Sequence, residues 1–121
     1  MTTGEKVFKA GIAVAPVTDY RLYDTAYAER FMRRPQENFS GYDKSSALLR
    51  ADKLQGSLLI VHGSADDNVH AQNTMLFIDK LVAADKQFEM QIYTDKNHSI
   101  LGRQTRRHLY TRMSDFLFKN L

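Results

Sequence analysis

The chain has 121 residues, 43% of them hydrophobic, and a net charge of +3, which is the composition of a single globular domain. It contains no cysteine, so disulfides, a thiolate nucleophile and cysteine metal sites are excluded. No apolar stretch approaches the roughly 18 residues of a membrane-spanning helix, and the segment Met1–Lys6 lacks the apolar core of a signal peptide.

The first apolar run, Gly11–Ala15, predicts a buried strand that Pro16 ends, because proline cannot donate to a β-ladder. A globular domain rarely begins with a strand that is buried on both sides, so we expect further strands upstream in the natural protein. Without them this strand is an exposed apolar edge, which is a template for pairing with a second copy. The chain is therefore predicted to form a homo-oligomer through this edge.

Three tyrosines, Tyr20, Tyr23 and Tyr27, follow the first strand. Residues 24–32 have helical character, and Tyr23 and Tyr27 lie on the same face of that predicted helix. Residues 33–42 are rich in turn-forming types and are predicted to be a surface loop. A short helix is predicted over residues 43–51.

The stretch Ser57–Val69 joins four consecutive large apolar residues to a turn that carries two adjacent carboxylates, Asp66 and Asp67. An unbroken apolar run is typical of a strand that helices cover on both faces of a parallel sheet. Ligands bind beyond the carboxyl ends of the strands in open α/β sheets. The acidic turn is therefore the first candidate for a functional site.

The second half of the chain continues the alternation of strands and helices. A helix is predicted to open at residues 68–71 and to end near residue 84, a strand to cover residues 88–93, and a long helix to cover residues 103–120. The residues expected to face the core are Met75, Ile78, Leu81 and Val82 in the first helix and Leu109, Met113, Phe116 and Leu117 in the second. The element order predicts an α/β fold with about three parallel strands and flanking helices.

Polar residues follow two successive strand ends, Asp66 after one strand and His98 after the next. Because the carboxyl ends of parallel strands meet at one edge of a sheet, both side chains are expected at that edge. An acid followed by a histidine, with one crossover between them, matches the last two members of the Ser…Asp…His order of α/β hydrolases.

Two other functional classes receive little support. The histidines His62, His70 and His98 have no metal-ligand spacing, so no metal and no cofactor is predicted. Four arginines near the C-terminus form one basic helix turn without the long stripe of a nucleic-acid surface, so no nucleic-acid partner is predicted. These arginines are interpreted as solvated surface: Arg103, Arg106, Arg107 and Arg112.

Four segments of the chain combine into a specific pattern: Val14–Thr18, Tyr23–Met32, His62–His70 and Asn97–His98. In this order and spacing they closely resemble the dipeptidyl peptidase IV family, serine peptidases of the prolyl oligopeptidase group. The resemblance covers nearly the whole chain. It implies that residues 1–121 are the C-terminal part of an α/β-hydrolase domain, which a β-propeller precedes in that family.

The resemblance also implies roles for individual residues. Asp66 would be the triad carboxylate and His98 the triad base, while Asn68 would bind the substrate carbonyl before the penultimate proline. The residues implied for the proline pocket are Tyr23, Tyr27, Val17, Tyr20 and Val69. Judged on the residues alone, ordinary helix packing for Tyr23 and Tyr27 and a helix N-cap for Asn68 remain alternatives. Two positions depart from the usual pattern, since the family commonly has tryptophan at Tyr20 and often glycine at Ser99.

The family's nucleophile lies on a Gly-x-Ser-x-Gly elbow, and this sequence contains no such motif. We therefore expect a longer parent enzyme that releases N-terminal X-Pro or X-Ala dipeptides from peptides, and an isolated chain that is inactive. The absence of cysteine favours an extracytoplasmic parent. Two alternatives stay open: another hydrolase of the same group, acting on acylaminoacyl or oligopeptide substrates, and a non-catalytic interaction module.

Overall fold

The computed structural model describes residues 1–2 and 6–121, so the segment Met1–Lys6, predicted to be no signal peptide, lies partly outside the described residues. The strands in this part of the chain are β1 (Ala10–Val14), β2 (Ser57–Gly63) and β3 (Glu89–Tyr93). The α-helices are α1 (Thr25–Met32), α2 (Phe39–Ser45), α3 (Gln72–Ala83) and α4 (Arg103–Asn120). Short 3-10 helices cover Tyr20–Leu22, Pro35–Glu37 and Leu48–Lys53. Among residues 1–2 and 6–121, no helix combines the length and apolarity needed to cross a membrane.

The three strands form one parallel sheet in the order β1-β2-β3, which confirms the predicted α/β fold. The central strand β2 is covered on both faces, as its unbroken apolar run predicted. Leu58 and Ile60 point to one face and Leu59 and Val61 to the other, because successive side chains alternate across a strand. Two cores result. One lies under α3 and the 3-10 helix Leu48–Lys53 and contains Ala51, Leu54, Phe77 and Leu81; the other lies under α4 and contains Tyr93, Ile100, Leu109 and Phe116.

Strand β1 lies at the edge of this sheet and is less buried than predicted. Its first four residues are half-buried, and its last residue, Val14, is 41% exposed. In the described residues β1 pairs with β2 on one side only, from Ala10 opposite Ser57 to Val14 opposite Val61. Its other side therefore carries backbone groups that no described strand pairs.

The prediction of a surface loop over residues 33–42 is wrong, and so is that of a helix over residues 43–51. A 3-10 helix and most of α2 occupy the first segment, and α2 ends at Ser45 before a separate 3-10 helix. Pro35 is the first residue of the 3-10 helix, a position that suits proline. Asn38 caps the start of α2, where its side chain accepts the Gly41 N–H at 3.2 Å. Tyr42 anchors α2, because it is only 1% exposed and its hydroxyl donates to the Arg33 carbonyl at 2.7 Å.

Helix α3 begins later than predicted, at Gln72 instead of residues 68–71. Its buried face is also turned relative to the prediction. Phe77 and Leu81 are buried, but Met75 is 46% and Val82 is 64% exposed. In α4 the predicted bounds are confirmed and Leu109 and Phe116 are buried, whereas Leu117 is 37% exposed.

Candidate active site

The turn after β2 and the loop after β3 lie side by side at the carboxyl edge of the sheet. The Ser64 N–H donates to the Tyr93 carbonyl at 3.0 Å, and the Ala65 N–H donates to the Lys96 carbonyl at 3.1 Å. The Asp95 N–H in turn donates to the hydroxyl of Ser64 at 2.9 Å. These bonds hold the acidic turn and the histidine loop in one arrangement.

Gly63 allows this close approach. A Cβ atom at position 63 would overlap the Lys96 carbonyl oxygen and lie 2.7 Å from that of Asn97. The loop itself turns sharply, with positive φ angles at Asp95 (56°) and Ile100 (47°). A β-branched residue rarely adopts such a φ, and Ile100 is held there by complete burial in the core under α4. The loop that carries His98 is thus fixed at both ends.

Asp66 and His98 form a direct hydrogen bond at this edge. His98 Nδ1 lies 2.8 Å from Asp66 Oδ2, and because a carboxylate only accepts, Nδ1 carries the hydrogen. The other carboxylate oxygen, Oδ1, accepts the backbone N–H groups of Asn68 at 3.0 Å and Val69 at 2.9 Å. The carboxylate is therefore held at both oxygens.

The surroundings of Asp66 favour its ionised form. Burial raises the pKa of the Asp66 carboxyl, but hydrogen bonds from His98 and from the amides of Asn68 and Val69 outweigh burial and hold that pKa below its ordinary value. The side chain is fully buried, whereas that of His98 is 40% exposed. The site thus joins a buried carboxylate to a histidine that solvent can reach.

The remaining nitrogen of His98, Nε2, has no hydrogen-bond partner among the described residues. With Nδ1 protonated and bonded to Asp66, Nε2 carries the free lone pair of a neutral imidazole. Such a nitrogen can take a proton from a hydroxyl group and later return it to a leaving group. The pair therefore has the geometry of a general base with its orienting acid.

Tyr23 and Asn68 meet next to this pair, although they are 45 residues apart in the chain. The hydroxyl of Tyr23 donates to Asn68 Oδ1 at 3.0 Å, and the Tyr23 and Tyr27 rings pack edge to face with centroids 5.5 Å apart. Asn68 is not a helix N-cap, because α3 begins at Gln72. An open cleft of about 550 Å³ adjoins Tyr23 and Asn68, and its other lining residues are Arg21, Leu22, Asp24, Thr25, Asp67, His70 and Gln72.

The other residues implied for the proline pocket do not line this cleft. Val69 is only 3% exposed, and its backbone N–H bonds to Asp66. Val17, before the first 3-10 helix, and Tyr20, its first residue, are both half-buried. Tyr27 is 49% exposed beside Tyr23. Asp67, adjacent to Asp66 in sequence, is exposed on the cleft.

Asn73 connects the segment before the first 3-10 helix to helix α3, a contact that the sequence did not reveal. Its side-chain oxygen accepts the Thr18 N–H at 3.0 Å, and its carbonyl accepts the Thr18 hydroxyl at 2.8 Å. Both residues are buried. An asparagine and a threonine inside a fold must find partners, but their sequence does not indicate that these two find each other.

His62 was also missed as part of the site. It ends the apolar run of β2, is completely buried, and lies next to Asp66. The sequence feature that could have indicated His62 is its position, since a polar ring at the end of a strand buried on both faces must be hydrogen-bonded.

A parallel α/β sheet with a buried carboxylate and a histidine after successive strands defines the class of the α/β-hydrolase enzymes, whose catalytic acid and base follow in this order. Within that class, the profile of the prolyl oligopeptidase family matches residues 1–121, and the chain belongs to this family.

Relatives and solved structures agree with this assignment. A probable dipeptidyl-aminopeptidase B of Ajellomyces capsulatus is 46% identical over 117 residues, and one of Coccidioides posadasii is 46% identical over 115 residues. These matches cover 94% and 93% of this chain, but 13% and 12% of the relatives.

The structure of Porphyromonas gingivalis dipeptidyl peptidase 4 is 66% identical, with a TM-score of 0.97 over 99% of this chain. That of a putative dipeptidyl aminopeptidase IV from Bacteroides ovatus is 35% identical, with a TM-score of 0.92 over 96%. The chain covers 17% and 16% of those two proteins. The resemblance to dipeptidyl peptidases of this family is confirmed.

Proposed function

We propose that this chain is the C-terminal part of the catalytic domain of a longer serine dipeptidyl peptidase, to which it supplies the triad carboxylate Asp66 and the base His98. The observation that carries the proposal is the 2.8 Å bond from His98 Nδ1 to Asp66 Oδ2 at the carboxyl edge of the sheet. The substrates are peptides with proline or alanine at the second position, from which the enzyme releases an N-terminal dipeptide.

In this proposal His98 Nε2 takes the proton of a serine hydroxyl that another segment of the enzyme provides. Asp66 keeps the hydrogen of the neutral imidazole on Nδ1 and stabilises the imidazolium that forms. The proton then passes from Nε2 to the leaving amine. The low pKa of Asp66 supports this division of roles, because the carboxyl stays ionised while the imidazole accepts and releases the proton.

Specificity is proposed to come from Tyr23, Tyr27, Val17, Tyr20 and Val69 as the proline pocket and from Asn68 as the group that binds the preceding carbonyl. Flat aromatic walls suit a rigid pyrrolidine ring, which loses little entropy on binding. The bond from Tyr23 to Asn68 Oδ1 supports the proposal, since it directs the Asn68 amide nitrogen away from Tyr23 and leaves its hydrogens for a substrate carbonyl.

A chimeric enzyme tests the function. In it, this chain replaces the matching segment of Porphyromonas gingivalis dipeptidyl peptidase 4, whose 66% identity and TM-score of 0.97 make the exchange conservative. We expect the chimeric enzyme to hydrolyse Gly-Pro and Ala-Pro chromogenic substrates, its His98→Ala variant to be inactive, and the 121-residue chain alone to show no turnover.

Three results would contradict the proposal. One is a folded but inactive chimeric enzyme, and another is a preference for N-acetylated substrates, which would indicate an acylaminoacyl hydrolase. The third is turnover by the purified chain alone that disappears in His98→Ala.

The contact between Tyr23 and Asn68 leads to a prediction about specificity. In the chimeric enzyme, Tyr23→Phe is expected to raise KM for Ala-Pro substrates about 2- to 10-fold with little change in kcat, as for the loss of one hydrogen bond of 0.5–1.5 kcal/mol. Tyr110→Phe is the matched control, because Tyr110 lies on α4 and is 62% exposed. Equal KM values for Tyr23→Phe and the parent would show that the Tyr23 hydroxyl does not orient Asn68 for substrate binding.

We also propose that the 121-residue chain self-associates through the free side of β1. The Ala15 N–H bonds to the Val61 carbonyl at 2.8 Å. Since N–H directions alternate along a strand, the Val14 N–H points away from β2, toward the free side. Val14 is also 41% exposed, so its replacement disturbs the core little.

Light scattering tests this association. The parent chain is expected to be a dimer or larger, and Val14→Pro is expected to shift it toward monomer, because proline removes the free N–H. Val14→Ala, which shortens the same side chain but keeps the N–H, should associate like the parent. A monomeric parent chain, or identical behaviour of the two variants, would show that the β1 edge does not drive association.

A further inference from the structure

His62 is a fully buried histidine directly behind the candidate active site. It lies near the end of β2, and its side chain has no exposed surface. Both ring nitrogens have partners: Nδ1 lies 2.7 Å from the hydroxyl of Thr74, and Nε2 lies 2.8 Å from the Val69 carbonyl oxygen. Nε2 is also 3.2 Å from Asp66 Oδ2, the oxygen that His98 contacts.

The chemistry of these partners assigns the hydrogen on His62. A carbonyl oxygen only accepts, so the hydrogen bond to Val69 requires that Nε2 carries a hydrogen. The hydroxyl of Thr74 can donate to Nδ1 or accept from it, so it satisfies the other side of the ring. The N–H therefore points to the Val69 carbonyl, and the buried carboxylate lies beside this bond, with Asp66 Oδ2 3.2 Å from Nε2.

The contacts close a ring around the acidic turn. The Val69 N–H donates to Asp66 Oδ1, the Val69 carbonyl accepts from His62, and His62 Nε2 faces Asp66 Oδ2. The carboxylate is thus held at Oδ1 by the amides of its own turn, and a fully buried imidazole that bonds the same turn lies against Oδ2. A turn held in this way keeps one orientation of the carboxylate.

We propose that His62 is a positioning residue for the acid–histidine pair, and that its Nε2–H sets the orientation in which Asp66 receives the hydrogen bond from His98. The inference rests on the proposed function and adds to it a residue that does not touch the substrate. The orientation matters because a catalytic group misplaced by about 1 Å can cost 10²-fold in rate.

Two variants of His62 separate positioning from plain packing. The terminal amide of glutamine reaches the place of Nε2 and can donate to the Val69 carbonyl, whereas that of asparagine reaches only the place of Nδ1 and the Thr74 hydroxyl. In the chimeric enzyme, His62→Asn is expected to lower kcat about 100-fold with little change in KM, and His62→Gln to recover most of that loss. Thermal unfolding of both variants shows whether each is folded at the assay temperature.

A packing role makes a different prediction, because both variants replace a buried ring by a smaller polar chain. If His62 only fills space, the two folded variants will have similar kcat values, and this result would overturn the proposal. A raised KM with an unchanged kcat in His62→Asn would also overturn the proposal. Inactivity of the unmutated chimeric enzyme, by contrast, counts against the proposed function.

A second measurement needs neither activity nor a variant that folds. The 15N NMR spectrum of the histidine-labelled 121-residue chain reports which nitrogen of each imidazole carries hydrogen. We expect His62 to carry it on Nε2. A His62 ring protonated on Nδ1 alone would overturn the inference, because it could not donate a hydrogen bond to the Val69 carbonyl and so could not hold the turn that carries Asp66.

Discussion

Replacing Asp66 by asparagine in the chimeric enzyme is expected to lower kcat by about 10⁴-fold. The reason lies in the two backbone amides at Oδ1, those of Asn68 and Val69, which require an acceptor. The oxygen of the new amide will therefore occupy the Oδ1 position and its NH2 group the Oδ2 position, facing His98. His98 Nδ1 must then accept, which moves the imidazole hydrogen to Nε2 and removes the base.

Asp67→Asn is the matched control, because the residue is adjacent and also acidic but exposed on the cleft. Its kcat should stay close to that of the parent. The measurement is steady-state kinetics on an Ala-Pro chromogenic substrate, with folding checked by thermal unfolding. If Asp66→Asn retains most of the activity, the triad carboxylate is not Asp66; if Asp67→Asn loses as much activity as Asp66→Asn, the assignment of the role to Asp66 alone fails.

The same substitution also has a signature in stability. The folded chain holds the pKa of Asp66 below its ordinary value of 3.8, so its ionised carboxylate stabilises the fold above that pH. The contribution is lost as the pH falls through the lower pKa of the folded state, since both states then bind the proton. The difference in unfolding free energy between the parent and Asp66→Asn should therefore shrink in acid. Glu37 and Glu89, whose pKa values are also lowered, are common to both proteins and cancel from this difference.

Gly63→Ala is expected to have the second largest effect, on both stability and rate. The added methyl group would overlap the Lys96 carbonyl and crowd that of Asn97, both of them backbone atoms that cannot rotate away. Such overpacking costs about 1–3 kcal/mol of stability. Relief requires the loop to move outward with His98, so we expect kcat to fall about 100-fold, as for a misplaced catalytic group.

Gly11→Ala provides the control, since it makes the same change in β1. There the new methyl group would meet the thioether of Met1, the far end of a flexible side chain that can move aside. Thermal unfolding and steady-state kinetics of both variants in the chimeric enzyme test the comparison. If Gly63→Ala matches Gly11→Ala in both measurements, the position of the loop after β3 does not require glycine at position 63.

The wrong secondary-structure predictions share one physical cause, namely side-chain contacts that the pattern of residue types does not show. The content of Pro35, Asn38 and Gly41 predicts a loop over residues 33–42, yet two of these residues start helices and Tyr42 anchors one helix in the core. The sequence predicts an earlier start for α3, because it does not show that the side chain of Asp66 binds two backbone amides of the turn. Such side-chain bonds compete with helix formation.

The sequence alone determined the sheet, its strand order in the chain and the positions of Asp66 and His98. A continuous apolar run specifies a strand buried on both faces, and alternation with helices makes the strands parallel, which brings their polar ends to one edge. These properties depend on residues close together in the chain, so the pattern of residue types is sufficient to predict them.

Only the tertiary structure decided how the edge is assembled. Tyr23 reaches Asn68, Thr18 reaches Asn73 across 55 positions, and His62 closes the turn behind Asp66. Gly63 is needed only because a loop more than 30 positions away packs against it. Each contact joins two polar or small residues that many other partners would satisfy equally well. The partner is therefore selected by burial and by the path of the backbone, not by residue type.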